Sequence, residues 1–239
     1  MVHHRNWIIL AAVIFTLIAF LPSAQAKPPA KPDNPGLPGC LAKVNQLEQI
    51  IGELFDAMMH YAPVPQTGQT VSRTPGDDGD FRKGMTWPVP RFTDNGNGTV
   101  TDNLTRLIWL KNANCFGEQM WANALIACNN LPNGTCNLTD GSQAGDWRLP
   151  NIKELQSLIS YGVHDPALSD TNGTGKWAEG DPFTGVLCDV TNCARGYYWS
   201  STTVEGSGDA YYVYLGGGFV EQTSKIHNGY YVWCVRGGN

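Results

Sequence analysis

The 239-residue chain is poor in charge: only 15% of its residues are Asp, Glu, Lys or Arg, and 16 basic residues face 21 acidic ones. A net charge of −5 and the missing basic tract argue against a nucleic-acid binder, which needs cationic residues to displace counterions. Histidine is scarce: beyond residue 26 only His60, His164 and His227 remain, so acid–base machinery is thin. No G-x-S-x-G, H-E-x-x-H or G-x-x-x-x-G-K-[ST] motif occurs, so the common nucleophile-elbow, zinc-protease and phosphate-loop chemistries have no signature. No enzyme class is assigned from the sequence, and the balance falls against an enzyme. No apolar run reaches the roughly 20 residues that span a bilayer.

What the chain does have begins with an address. His3, His4 and Arg5 precede an apolar run from Trp7 to Leu21, followed by Pro22-Ser23-Ala24-Gln25-Ala26. That order of basic, apolar and small-residue segments reads as a secretory signal peptide over residues 1–26. No cysteine stands directly after the cleavage site, so no lipid anchor is expected after cleavage. The expected location is secreted, periplasmic or cell-surface. Export permits disulfides, and seven cysteines are present: Cys40, Cys115, Cys128, Cys136, Cys188, Cys193 and Cys234. The last six allow three bridges in fifteen connectivities, and an odd Cys40 points to an interchain bridge or a free thiol.

Residues 27–39 are Pro-rich and read as an extended spacer. Over 40–61, Val44, Leu47, Ile51, Leu54, Met58 and Tyr61 alternate spacings of three and four, the seam of a short coiled coil. The alternative is one amphipathic helix docked on its own domain. Cys40 at the head of the seam favours a homo-oligomer. From 62 onward, an Asn-Gly turn between 91–93 and 99–102 predicts a hairpin, and 106–110 a further strand. Met120, Trp121, Ala124, Leu125 and Cys128 predict a helix over 118–130. Asn151 with Glu154 is a capping-box signature for a second helix with Ile152, Leu155, Leu158 and Ile159 on its buried stripe. A Gly/Asp/Asn-rich loop over 162–195 and strands at 197–202, 210–215, 218–223 and 230–236 complete an α+β pattern with antiparallel sheets.

The strings RFTDNGNGTVTDNLTRLIWLKNANCFG, GDWRLPNIKELQSLI, YYWSSTT and YYVWCVRGG resemble, in this order, the domain at the C-terminus of Legionella collagen-like adhesins, the Lcl C-terminal domain family, from about Gln66 to Asn239. More remotely, Trp147-Arg148-Leu149-Pro150 and Val235-Arg236-Gly237-Gly238 look like C-type-lectin-like and formylglycine-generating folds. The resemblance implies a C-type-lectin-like domain over 62–239, two helices against antiparallel sheets, with a binding or adhesion role toward a glycan or a surface protein. By that likeness Cys128 and Cys234 suit the bridge from first helix to last strand, Cys115–Cys136 a local loop, and Cys188–Cys193 a staple within the long loop. Other pairings stay open.

On this reading the loop and the meander form the contact face, with Trp177, Lys176, Arg195, Tyr198, Tyr212 and Tyr214 as candidate binding residues, because alternating strands cannot turn every aromatic inward. A purely structural subunit of a surface fibre is the competing reading. A third is a copper-dependent enzyme of the formylglycine-generating type, which would use Cys188 and Cys193 as thiolates; their spacing alone is slight support. Arg148 and Arg236 read as ion-pair anchors of the fold rather than ligand contacts. No resident cofactor or metal site is expected, although calcium is an option for the acidic turns at Asp77-Asp78-Gly79-Asp80, 94–102 and 165–181.

Overall fold

The computed structural model describes residues 42–52, 64–188 and 196–237. The expected signal peptide and Pro-rich spacer, Cys40, Cys193, Arg195 and the second half of the 40–61 helix lie outside them. The chain divides into two compact units, Met1–Asp56 and Ala57–Asn239. In the first, residues 42–52 form helix α1, whose side chains are all exposed.

The second unit carries short helices α2 (Asp78–Phe81), α3 (Trp121–Asn129) and α4 (Ile152–Gln156). Its strands are β1 (Phe92–Asp94), β2 (Thr99–Asp102), β3 (Ile108–Leu110), β4 (Glu118–Gln119), β5 (Tyr197–Thr203), β6 (Asp209–Tyr214), β7 (Phe219–Ser224), β8 (Tyr230–Tyr231) and β9 (Val235–Arg236). They build two sheets, ordered β1-β2-β3-β9 and β4-β8-β5-β6-β7. The α+β class expected from the sequence is therefore present. Among these strands the pairings are antiparallel except that of β5 with β8, where Tyr198 lies opposite Tyr231 in parallel.

The Asn-Gly hairpin forms as expected, with Phe92 opposite Asp102 and Asp94 opposite Val100. The expected last strand splits in two. β8 serves the five-stranded sheet and β9 the four-stranded one, while Val232, Trp233 and Cys234 between them are fully buried. This crossing stretch joins the two sheets through the core. Trp233 meets Trp109 of β3 edge-on, and Phe183 sits between Phe92 and Trp233 with ring centroids at 5.1 and 4.9 Å.

Two bridges pin the same region. Cys128 of α3 is bonded to Cys234, and Cys115 to Cys136. Cys188 is also disulfide-bonded; Cys193, its expected partner, lies outside the described residues. Cys128 and Cys234 are fully buried.

Helix α4 starts as expected: the Asn151 side chain accepts from the amides of Lys153 and Glu154, and Glu154 returns a bond to the Asn151 amide. Glu154 also receives Arg148 through two 2.6 Å bonds. This pair is partly exposed, with the Arg148 side chain at 42%, so Arg148 anchors the helix start rather than the core. Arg236 pairs with Asp140 at 3.0 Å and stacks over Trp147.

The sealed ion pair of the core is another one, which the sequence did not announce. Arg91 and Asp102 both have fully buried side chains, with Nε to Oδ1 at 2.9 Å and Nη2 to Oδ2 at 3.0 Å. Nη2 also donates to the Ser157 carbonyl at 2.8 Å, and the guanidinium lies over the Trp87 ring.

Two expectations need correction. Residues 118–119 belong to a strand, and Met120, placed on the buried helix face by its spacing, precedes α3 and is 45% exposed. The segment 162–188 is irregular but is no free surface excursion. Leu168, Trp177, Phe183, Val186 and Cys188 are buried in the core. Apolar side chains spaced through a turn-rich background outweigh the local composition, because each one buried removes its area from water.

Candidate functional site

Alternation along the five-stranded sheet turns Tyr198, Val213 and Tyr231 to one face and Tyr197, Trp199, Tyr212, Tyr214 and Tyr230 to the other. The first set meets the core, where Tyr198 packs on Trp233. On the opposite face the register places Tyr197 opposite Tyr214 and Tyr214 opposite Phe219. One ring from each of four adjacent strands thus falls into a row: Phe219, Tyr214, Tyr197 and Tyr230. Neighbouring rings stack, with interplanar angles of 15°, 26° and 21° along the row. Cross-strand aromatic pairs of this kind are favourable in themselves.

Stacking uses up most ring faces. Tyr230 is 9% exposed and Trp199 fully buried, Tyr197 and Tyr214 are half-buried, and Phe219 is 60% exposed. Because β7 is the sheet edge, the row ends in one large ring with no strand beyond it among the described residues. Gly217 lies against this ring, and a Cβ there would stand 2.6 Å from it. Gly218 (φ +75°) closes the turn, and its carbonyl accepts the Tyr161 hydroxyl at 3.5 Å. Tyr161, 49% exposed, therefore flanks the turn that leads into Phe219, and it also lines an apolar groove of about 330 Å³ with Trp87, Leu104 and Ile159.

The polar groups of this face are donors and one carboxylate. The Tyr212 hydroxyl donates to Glu221 Oε2 at 2.5 Å. Burial first, and then the Glu221 bond, push the Tyr212 phenol well above its ordinary value. Tyr214 is raised by burial and by Tyr197 and Asp165. Both phenols stay protonated at neutral pH and offer hydrogen bonds rather than a nucleophile or base.

The structure sorts the expected binding residues. Lys176 is exposed, and its Nζ reaches the Asp165 carbonyl at 3.4 Å; Asp165 in turn bears electrostatically on Tyr214. Lys176 and Tyr214 thus neighbour the same residue. Trp177 is 6% exposed and donates to the Phe183 carbonyl. Tyr198 is fully buried, its hydroxyl accepting from the Leu187 amide at 3.2 Å, and burial raises its pKa. Tyr212 is 5% exposed. The rings of Trp177, Tyr198 and Tyr212 are thus covered by packing. Phe219 and Tyr161, the exposed rings beside this face, were not among the expected residues. The signal for Phe219 was available, since the strand pattern together with the Gly216-Gly217-Gly218 turn places it opposite Tyr214.

Among the described residues no three His, Cys, Asp or Glu side chains gather as a metal site. The acidic turns use their carboxylates locally: Asp77 accepts from the amides of Arg73 and Thr74, Asp80 from Gly76, and Asp94 from Gly96 and Lys111. The bridged Cys188 is no thiolate ligand for copper. A second cleft of about 300 Å³ is lined by Asp94, Lys111, Cys136 and Asn137, but its one ion pair is closed on itself.

A family model described as the Lcl C-terminal domain matches residues 98–236, from the turn before β2 to the end of β9 and so starting later than Gln66. Neither a curated protein nor a solved structure matches the chain, so the likeness to C-type-lectin-like and formylglycine-generating folds has no counterpart there.

Proposed function

The chain belongs to the Lcl C-terminal domain family, and from that premise we propose that it is an exported surface-recognition protein whose contact face is the open end of the aromatic row. The exposed Phe219 ring at the end of the stacked Tyr214–Tyr197–Tyr230 row carries this reading. A flat ring accepts the C–H face of a sugar, and the neighbouring polar tips take its hydroxyls. We assign the second task to Tyr161 and Glu221. Disulfide bonding supports a location outside the cytoplasm, and among the described residues no helix is long and apolar enough to cross a membrane.

Charge narrows the ligand. Glu221 is exposed beside Phe219, whereas Lys225 is half-buried over the Trp121 ring and Lys176 reaches the Asp165 carbonyl. A carboxylate repels sulfate and accepts hydroxyl protons, so the ligand is a neutral glycan. Self-association through α1 would present several such weak sites together and raise their avidity.

The test is a glycan array carrying neutral and sulfated sugars, read with and without a chelator. Binding to neutral sugars that survives the chelator supports the reading. Binding confined to sulfated sugars contradicts the charge argument, and loss with the chelator would restore calcium as a required ligand. The fibre-subunit reading draws on one observation, the open edge of β7, a template for strand addition. Open-ended polymer growth with concentration would favour it.

A further inference from the structure

Helix α1 shows an apolar stripe to solvent. Val44, Leu47 and Ile51 are 48%, 58% and 53% exposed, and Ile50 beside them 44%. A helix this short is marginal in water on its own, and half-exposed Val, Leu and Ile on one line of it mark a surface that another element covers.

Resting on the self-association reading above, we propose that a second copy of this chain covers the stripe as a parallel, two-stranded coiled coil, closed by a disulfide between the two Cys40 residues. The seam residues decide the number of strands. Counting heptads with Val44 at position a puts Ile51 at a and Leu47 and Leu54 at d. β-Branched residues at a with leucine at d favour two strands.

The flanking charges decide the direction. Lys43 occupies position g and Glu48 position e, five residues on, and both are helical and exposed. In a parallel pair the g residue of one chain meets the following e residue of the other, so Lys43 of each copy meets Glu48 of its mate twice over. An antiparallel pair sets g against g and e against e, so that Lys43 and Glu48 never meet each other and the attraction is lost.

Cys40 falls at position d of the preceding heptad. In parallel chains the d residues share a layer, so the two thiols meet; in antiparallel chains they lie at opposite ends. Bond formation removes one proton from each thiol. The two electrons pass to a disulfide oxidant such as oxidised glutathione, which leaves as two thiols.

The purified full chain is equilibrated in a glutathione redox buffer or a reductant and its mass measured by light scattering across concentrations. The oxidised chain should have twice the monomer mass, with the Cys40–Cys40 peptide found by mass spectrometry. The reduced chain and Cys40→Ser should dimerise reversibly. Lys43→Glu or Glu48→Lys alone should weaken the reduced dimer about tenfold, and the double exchange should restore it. Leu47→Asp should abolish it while leaving the main thermal transition in place.

A monomer at every concentration overturns the self-association reading and leaves the glycan reading untouched. A trimer overturns the two-stranded assignment alone. A dimer that the double exchange fails to restore overturns the parallel orientation, and Cys40 joined to another cysteine overturns the covalent closure.

Discussion

Arg91 and Asp102 show what a single pair of residues costs and secures. Taking two charges out of water is expensive; the Asp102 oxygens are filled by Arg91 twice, the Leu104 amide and the Thr105 hydroxyl, while Arg91 Nη1 is buried without a hydrogen-bond partner among the described residues. Asp102→Ala leaves the Arg91 guanidinium buried without its counter-charge and should lower stability by about 3–5 kcal/mol, read from urea unfolding. The exposed pair Asp94–Lys111 behaves differently. The Lys111 bond holds the Asp94 carboxyl below its ordinary value. Its stabilisation is therefore complete above the unfolded-state pKa near 3.8 and fades as pH falls through the lower folded-state value. Asp94→Asn should cost less than about 1 kcal/mol at pH 7, and urea titrations at pH 7 and below pH 3 should show the gap closing. The Asn-Gly hairpin, legible in the sequence, already sets Arg91 near Asp102. Their complete burial was not legible, because it depends on Trp87 and on the Ser157 carbonyl, the latter 66 residues away.

Among the elements, those closed by local chemistry were readable. Asn151 and Glu154 announce α4 because both partners of the capping box sit within one helical turn. Glu154 also holds Arg148, so the two side chains act as one unit. Asn151→Ala should cost about 1 kcal/mol. Combined with Glu154→Ala it should cost at least about 0.5 kcal/mol less than the sum of the singles, in a double-mutant cycle by denaturant unfolding. β4 was not readable: two residues carry no period, and its partner Tyr231 pairs with Glu118 from 113 positions away. The split of 230–236 escaped for the same reason, since a continuous apolar run does not say where it changes sheets.

At the scale of the molecule, the covalent frame separates two kinds of constraint. The Cys128–Cys234 bridge spans a sequence separation of 106 and Cys115–Cys136 one of 21. In the chain-entropy model these closures contribute about 5 and about 3 kcal/mol. Replacing both Cys128 and Cys234 by Ala should thus lower the unfolding free energy by about 1–2 kcal/mol more than the Cys115/Cys136 double replacement, and guanidinium unfolding of both variants checks it. The α+β class and most strand positions followed from periodicity. The contact face did not, because exposure is a property of the packed sheet: the same Tyr-rich pattern supplied the buried Tyr198 and the half-open Tyr214. A neutral glycan is proposed to bind at the open end of the aromatic row. The most direct test titrates an array-positive neutral sugar into the wild-type chain, Phe219→Ala and Trp177→Phe, each held well below its own unfolding midpoint. Phe219→Ala should bind about tenfold or more weakly and Trp177→Phe as well as wild type; undiminished binding by Phe219→Ala would contradict the account.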